Sequence, residues 1–151
     1  LSLEYSAPKN IERDLNKALD SLNSATWSGK KIDEITYEFT EHLARIWRVH
    51  PFRDGNTRTT LAFAEKYSTE HGFPMDIGIL LEHLTRSVTP DGRIARYSIR
   101  DKFVLAALDK KDYPEPEHLQ ALIKESILSG VKKEEEKHSK ILDLDDEEKG
   151  R

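Results

Sequence analysis

Cysteine is absent from this chain of 151 residues, so disulfides cannot hold its fold together. The same absence excludes zinc sites built from thiolates and catalysis by a cysteine nucleophile. Long apolar runs are missing too, and none approaches the ~20 residues that a membrane-spanning helix needs. Basic residues are not in excess, since 24 Lys and Arg stand against 28 Asp and Glu for a net charge of −4. We therefore expect neither a membrane nor nucleic acid as a partner.

The length of the chain is that of one ordinary domain, built around one hydrophobic core. The lack of cysteine agrees with a reducing compartment, so we expect a cytoplasmic protein, with delivery into another cell left open. The chain opens on Leu1 and not on Met. We expect that an upstream part of the domain precedes it.

Apolar residues recur at helical spacing along most of the chain, which predicts an all-α fold. The predicted helices cover about residues 8–22, 31–48, 56–71, 76–84, 94–108 and 117–128. Gly130 is expected to end the last of them. At the start, Leu1, Leu3 and Tyr5 alternate with polar residues and predict a short strand over Leu1–Ser6. A single strand is not stable alone, so we expect its hairpin partner upstream.

The composition of the chain changes after Gly130. Two charge runs follow, over residues 132–137 and 143–149, with few apolar residues between them. Such a segment is a solvated extension of the helix, a disordered tail or a linker. We therefore divide the chain into a core of residues 1–130 and a charged segment of residues 131–151.

Nine residues that begin at His50, HPFRDGNTR, join two predicted helices and carry several functional groups. Gly55 and Asn56 can offer backbone N–H groups at the start of a helix, where the positive end of the helix dipole favours an anion. Arg58 can direct a planar guanidinium at phosphate oxygens. Asp54 can hold Mg²⁺, and His50 can take a proton from an attacking hydroxyl. Singly, each is more often a turn or surface residue; together they predict transfer of a phosphorus-containing group.

Other residues near this segment have structural interpretations. We expect Phe52 to be a core anchor that pins the loop, and Arg53 to face solvent. Arg93, Arg96 and Arg100 form a basic series spaced three and four residues apart. The first interpretation of this series is a solvated helix face, and contact with a target or a nucleotide is the alternative.

The segment resembles the signature of Fic-domain proteins, His-x-Phe-x-Asp/Glu-Gly-Asn-Gly-Arg-x-x-Arg. The residues that match are His50, Phe52, Asp54, Gly55, Asn56 and Arg58, together with the frequent Pro51 and Arg53. The helices on both sides of the loop and the Tyr5–Pro8 segment also agree with this family, so the resemblance covers roughly residues 1–110. It implies a Fic-like helical bundle in which Leu1–Ser6 is half of a flap hairpin.

This resemblance implies transfer of AMP from ATP to a Ser, Thr or Tyr hydroxyl of a target protein, with release of diphosphate. Such a protein is a Mg²⁺-dependent adenylyltransferase, with residues 1–130 as its catalytic core. Its flap strand would hold the target segment by strand addition. By the same resemblance the general base is His50, the Mg²⁺ ligand is Asp54, and the nucleotide is bound by Gly55, Asn56, Thr57 and Arg58.

Two positions depart from the family signature. Thr57 stands where a second Gly is common, although some members carry Thr there, and it is free of strain only if its φ is negative. Leu61 replaces the closing Arg, so one contact with the outer phosphates is missing, worth on the order of 1.5–3 kcal/mol. The inhibitory Glu-Gly or Glu-Asn pair of many members is absent, and a separate inhibitory partner is left open. De-AMPylation, transfer of another phosphate-containing group, and a degenerate fold that acts as an interaction module are the alternatives.

Overall fold

The computed structural model describes residues 3–149, with residues 146–149 described by their backbone alone. This part of the chain contains six α-helices and one antiparallel pair of short strands. The helices are α1 (Ile11–Asn23), α2 (Ile32–Val49), α3 (Asn56–Glu70), α4 (Ile77–Leu81), α5 (Ile99–Ala107) and α6 (Glu117–Lys149), and the strands are β1 (Ser87–Val88) and β2 (Ile94–Arg96). The mainly helical architecture is the one that the sequence predicts.

Helix α2 forms the centre of the fold because one of its faces is apolar along its length. Phe39, Leu43 and Trp47 on this face are almost completely buried. The helix contacts α1, α3, α5 and α6. The Trp47 indole stacks on the ring of Phe103 in α5, with centroids 5.3 Å apart. This packing fixes the end of α2, where the loop that begins at His50 leaves the core.

A second aromatic contact fixes α3 to the connection between α1 and α2. The buried Trp27 indole donates from Nε1 to the Tyr67 hydroxyl of α3 at 2.8 Å. That hydroxyl in turn donates to the Leu22 carbonyl at 3.3 Å. Buried polar groups need such partners, because leaving one unpaired costs about 1–3 kcal/mol. Helix α3 is therefore held in place well beyond the loop that starts it.

Helix α6 passes so close to the segment before α4 that no side chain fits between them. A Cβ at Gly130 would overlap the Pro74 carbonyl oxygen and lie 2.6 Å from its carbonyl carbon. Asp76 fixes the same contact, because its Oδ2 accepts from the Ser129 hydroxyl and the Lys133 ammonium, each at 2.7 Å. The hydrogen bond from Lys133 is the main cause that lowers the pKa of Asp76.

The prediction that Gly130 ends the last helix is wrong, because α6 continues to Lys149. A glycine inside a helix costs only about 1 kcal/mol, and the Lys and Glu residues that follow are good helix formers. Residues 132–145 are exposed. Of the three interpretations of the charged segment, the helix extension is the one observed, with its helical backbone described up to residue 149 and its exposure up to residue 145. Within the described residues, no helix has the length and apolarity required to cross a bilayer.

The helix predicted over residues 94–108 begins five residues late. Ile94–Arg96 instead form β2 and pair with β1 across a turn in which the Gly92 N–H donates to the Thr89 carbonyl at 2.9 Å. Helix α5 then starts at Ile99, behind a capping box in which Ser98 is the N-cap. The Arg93 to Arg100 series is therefore divided between a hairpin and a helix, so it does not form the single helix face that the spacing predicted.

The strand predicted over Leu1–Ser6 is not formed in its described part. Residues 3–6 belong to no helix or strand, and Leu1 and Ser2 lie outside the described residues. A strand needs a hydrogen-bonding partner, and within residues 3–149 the pairing of β1 with β2 does not involve this segment. Leu3 and Tyr5 pack against the helical core instead.

Candidate active site

The loop after α2 begins with an unusual backbone conformation. His50 has φ 56° and ψ 56°, in the left-handed region, and its N–H donates to the Trp47 carbonyl at 3.0 Å. Gly55 repeats this conformation with φ 76° directly before α3. A histidine at positive φ costs roughly 1–2 kcal/mol, and such strain is concentrated at functional sites. The chain therefore turns sharply at both ends of the loop, and α3 starts beside the end of α2.

Asn56 holds the loop closed from inside. Its Oδ1 accepts from the Phe52 N–H at 2.9 Å, and its Nδ2 donates to the Phe52 carbonyl at 2.7 Å. The side chain is buried, with 6% of the residue surface exposed. The sequence predicts that Asn56 binds a nucleotide, and the structure shows that its side chain is bonded to the loop backbone. Its backbone N–H is the part of Asn56 that remains for a ligand.

The prediction that Phe52 anchors the loop in the core is wrong, because 52% of this residue is exposed. The two hydrogen bonds to Asn56 pin the backbone at Phe52 without requiring its ring to be buried. The ring lies in the wall of a shallow apolar groove that also contains Leu15, Leu19 and Phe63.

The His50 imidazole lies between two aromatic rings. The Tyr5 ring stacks on it with centroids 3.7 Å apart, and the Trp47 indole meets it edge-on at 5.3 Å. Its Nδ1 is buried and, within the described part of the chain, makes no regular hydrogen bond. Burial lowers the pKa of His50, the Trp47 carbonyl opposes this, and the positive charge of Arg100 lowers the pKa further. The imidazole is therefore neutral at neutral pH, as a general base must be.

Two contacts hold the N-terminal segment that carries Tyr5 over His50. Arg48, at the end of α2, donates to the Glu4 carbonyl at 3.2 Å and forms a two-pronged pair with the Asp109 carboxylate at 2.8 and 3.3 Å. The Ser6 hydroxyl donates to the Asp14 carboxylate at 2.8 Å. The stacking of Tyr5 on His50 is thus a consequence of tertiary contacts on both sides of it.

The loop and the start of α3 border a cavity of about 540 Å³. Its lining contains all six residues that the sequence analysis placed in a site: His50, Asp54, Gly55, Asn56, Thr57 and Arg58. It also contains five further residues: Arg53, Leu84, Thr85, Ile99 and Arg100. Arg53 is exposed, as expected, but it borders this cavity and does not merely face bulk solvent. Sequence spacing explains only the contribution of the loop, because the other wall comes from residues about 30 to 45 positions further along the chain.

The cavity is suited to an anion. Three guanidinium groups, those of Arg53, Arg58 and Arg100, line it against a single carboxylate, that of Asp54. No side chain caps the start of α3. The first-turn N–H groups of an uncapped helix can donate hydrogen bonds to a ligand. The positive end of the helix dipole attracts an anion together with the three arginines.

Asp54 is exposed at the cavity and keeps acceptor capacity. Its Oδ1 accepts from the Gly55 N–H at 2.8 Å, which orients the carboxylate. A carboxylate has four lone-pair sites, so the remaining ones can bind a cation. One carboxylate combined with phosphate oxygens and water is a usual set of ligands for Mg²⁺. The residues present therefore fit this ion, and Asp54 could supply its protein ligand.

Thr57 and Leu61 depart from the Fic signature without disturbing α3. Thr57 lies within α3, so its φ is negative and its branched Cβ causes no strain. Its Oγ1 accepts from the Trp47 indole N–H at 3.0 Å, which ties the start of α3 to the end of α2. Leu61 is 3% exposed and belongs to the hydrophobic core. At position 61, where the signature has an arginine, this chain therefore has a leucine that packs in the core.

Tyr5, which stacks on His50, and Arg100, which lines the cavity, were not predicted from the sequence as residues of the site. Tyr5 was interpreted as a strand residue, because its alternation with polar neighbours was the only available signal. Arg100 was noted within a basic series, with nucleotide contact as the less favoured interpretation. Both reach the site from segments that are remote in the sequence, so no local pattern could have placed them there.

Comparison with known proteins bears on the N-terminal part of the chain. Residues 1–68 match the sequence model of the Fic/DOC family. The matched range contains α1, α2, the His50 loop and most of α3, which amounts to slightly less than half of the chain. It supports a relationship with this family over those residues. No curated protein and no solved structure matches the chain significantly.

Proposed function

We propose that the chain is a Fic-type adenylyltransferase that moves AMP from ATP to a Ser, Thr or Tyr hydroxyl of a target protein. The observation that carries this proposal is the cavity itself, where an imidazole of lowered pKa borders the same space as the start of α3 and several arginines. The match of residues 1–68 to the Fic/DOC family supports this class of reaction. Neither a phosphate site nor a lone histidine would suggest nucleotidyl transfer without the other.

In the proposed reaction the target hydroxyl attacks the α-phosphorus of ATP. The new O–P bond forms while the P–O bond to diphosphate breaks, and the hydroxyl proton passes to His50. Nδ1 of His50 is buried, so we assign the proton transfer to Nε2. The tautomer that carries its proton on Nδ1 would leave Nε2 free to accept the proton of the hydroxyl.

The phosphates would be bound by Arg58 and by the backbone N–H groups of Asn56 and Thr57. Asp54 would hold Mg²⁺, which neutralises phosphate charge when bound. Leu61 offers no charge, so we expect weaker binding of the outer phosphates than a second motif arginine would give, by about tenfold to a hundredfold. The target protein would supply the hydroxyl at the open side of the cavity.

The proposal is tested with two forms of labelled ATP. The purified chain and a cell lysate are incubated with Mg²⁺ and ATP that is labelled either on the α-phosphate or on the γ-phosphate. We expect protein-bound label from the α-form alone, and its loss in His50→Ala. His138→Ala is the matched control, because His138 is exposed on α6. Equal labelling by the parent and His50→Ala rejects the proposal, and label from the γ-form indicates phosphate transfer instead.

The absence of a charged residue at position 61 gives some weight to a second function, an interaction module with a Fic-like fold and no chemistry. Calorimetric titration with ATP and Mg²⁺ separates the two functions. Binding that is lost in Arg58→Gln supports the enzyme. No heat of binding at millimolar ATP supports the module.

A further inference from the structure

Arg100 borders the cavity from a wall that the sequence motif does not supply. It lies in α5, whereas Arg58 lies in α3. Its Nη2 donates to the Tyr5 hydroxyl at 3.2 Å, and the Tyr5 ring stacks on His50. The guanidinium and the imidazole therefore both contact Tyr5, and the charge of Arg100 lowers the pKa of His50.

Arg100 is the second residue of α5, so its guanidinium lies at the positive end of that helix's dipole. Its charge also opposes protonation of His50. A negatively charged ligand that lies between the guanidinium, the imidazole and the first turn of α3 would offset both effects.

The start of α5 is held firmly, so Arg100 has a defined origin. Ser98 and Asp101 form the capping box of the helix. The Asp101 carboxylate, 1% exposed, is bound by both prongs of the Arg86 guanidinium at 3.0 and 2.5 Å. The Ile99 N–H donates to the His83 carbonyl at 2.6 Å. A side chain that starts from such a fixed backbone can bind a ligand at lower cost in conformational entropy.

We propose that Arg100 binds the phosphate group that is transferred, from the α5 wall, while Arg58 and the start of α3 bind the phosphate chain from the other wall. This rests on the proposed function. Arg100 donates N–H groups to the non-bridging oxygens of the α-phosphate and exchanges no proton. As the hydroxyl oxygen bonds to phosphorus and diphosphate leaves, the guanidinium stabilises the negative charge on those oxygens. The closeness of Arg100 to His50 assigns it to this phosphate and not to the outer two.

The test is calorimetric titration of the parent and of Arg100→Gln with ATP, AMP and adenosine, each with Mg²⁺. Arg93→Gln is the matched control, because Arg93 carries the same charge on the exposed hairpin outside the cavity. We expect Arg100→Gln to bind ATP and AMP about tenfold more weakly and adenosine equally well. Arg93→Gln should bind all three like the parent.

Three results overturn this inference. Equal affinity of Arg100→Gln and the parent for ATP shows that Arg100 makes no phosphate contact. A loss for ATP that AMP does not share places Arg100 at the outer phosphates. An equal loss for adenosine shows that Arg100 does not act through the phosphate groups. If thermal unfolding shows that Gln destabilises the protein, Arg100→Lys replaces it, with an expected loss of a few-fold for both phosphates and none for adenosine.

The same data separate this inference from the proposed function. A parent that binds ATP and AMP but labels no protein refutes AMP transfer and leaves the phosphate contact of Arg100 intact. A parent that transfers AMP while Arg100→Gln binds and transfers equally well refutes only the inference. A parent that binds neither nucleotide refutes both.

Discussion

The two hydrogen bonds between the Asn56 side chain and the Phe52 backbone form a clamp that we predict to stabilise the loop. Asn56→Ala removes the hydrogen bonds at 2.9 and 2.7 Å to the Phe52 N–H and carbonyl. Each is worth about 1 kcal/mol net, and the two Phe52 backbone groups are left without their partner, so the loss of unfolding free energy is about 2–3 kcal/mol. Ala is a better helix former than Asn by a few tenths of a kcal/mol, which offsets little of this.

The expected loss corresponds to a drop of about 4–12 °C in the midpoint of thermal unfolding for a domain of this size. Asn16→Ala is the matched control, because Asn16 is exposed on α1, and we expect its midpoint within about 2 °C of the parent. Calorimetric titration with ATP and Mg²⁺ is the second measurement. Asn56→Ala should bind ATP more weakly at temperatures where it is folded, because the first-turn N–H groups of α3 are no longer fixed relative to the loop.

A third variant separates the hydrogen bonds from the charge. Asn56→Asp keeps an acceptor for the Phe52 N–H but turns the donor to the Phe52 carbonyl into a repelling oxygen. The negative charge near the start of α3 recovers about 0.3–1 kcal/mol. Its midpoint should therefore lie at or above that of Asn56→Ala but below that of the parent. If Asn56→Ala and the Asn16→Ala control have the same midpoint of thermal unfolding, the clamp does not stabilise the loop.

Two further predictions concern stability. Gly130→Ala should lower the unfolding free energy by about 1–3 kcal/mol in urea titrations, because the new methyl group would overlap the Pro74 carbonyl and the gain in helix propensity is only about 1 kcal/mol. Ser139→Ala, on the exposed part of α6, is the control and should leave the unfolding free energy unchanged. A Gly130→Ala variant that is more stable than the parent would contradict the close approach of α6 to Pro74. Burial lowers the pKa of His42, His50 and His83, so the unfolded chain binds protons that the folded chain does not. The unfolding free energy should therefore rise with pH through the unfolded histidine pKa of about 6.5 and level off about one pH unit above it. Replacing the three by Gln should flatten that rise, and a slope equal to that of the parent would contradict it.

Helix positions and the site loop could be predicted from the sequence because the signals are local. Apolar residues at helical spacing define α2 whatever surrounds it, and its observed bounds, Ile32–Val49, differ from the prediction by one residue at each end. The nine residues from His50 form one continuous segment, so their shared position around the start of α3 follows from chain connectivity. The residue types of this segment also predict a site for phosphate, which stays a prediction.

Other features depended on contacts that no local pattern encodes. Ile94 has the apolar character of a helix residue, and only pairing with β1 makes it a strand residue. Phe52 looks like a core residue, but the Asn56 clamp holds the backbone and leaves its ring half exposed. Leu3 and Tyr5 alternate like a strand, yet they pack on helices because the described chain pairs no strand with them.

Local sequence patterns are enough to predict that the chain is mainly helical and that one loop contains an imidazole, a carboxylate, a helix start and an arginine. Tertiary packing sets what faces that loop. It stacks Tyr5 on His50, brings Arg100 into the cavity wall, and lowers the pKa of His50 through burial and a neighbouring charge. The physical reason is that helix formation depends on neighbours within a few residues, whereas the environment of a side chain depends on which distant segments the packing of the core brings beside it.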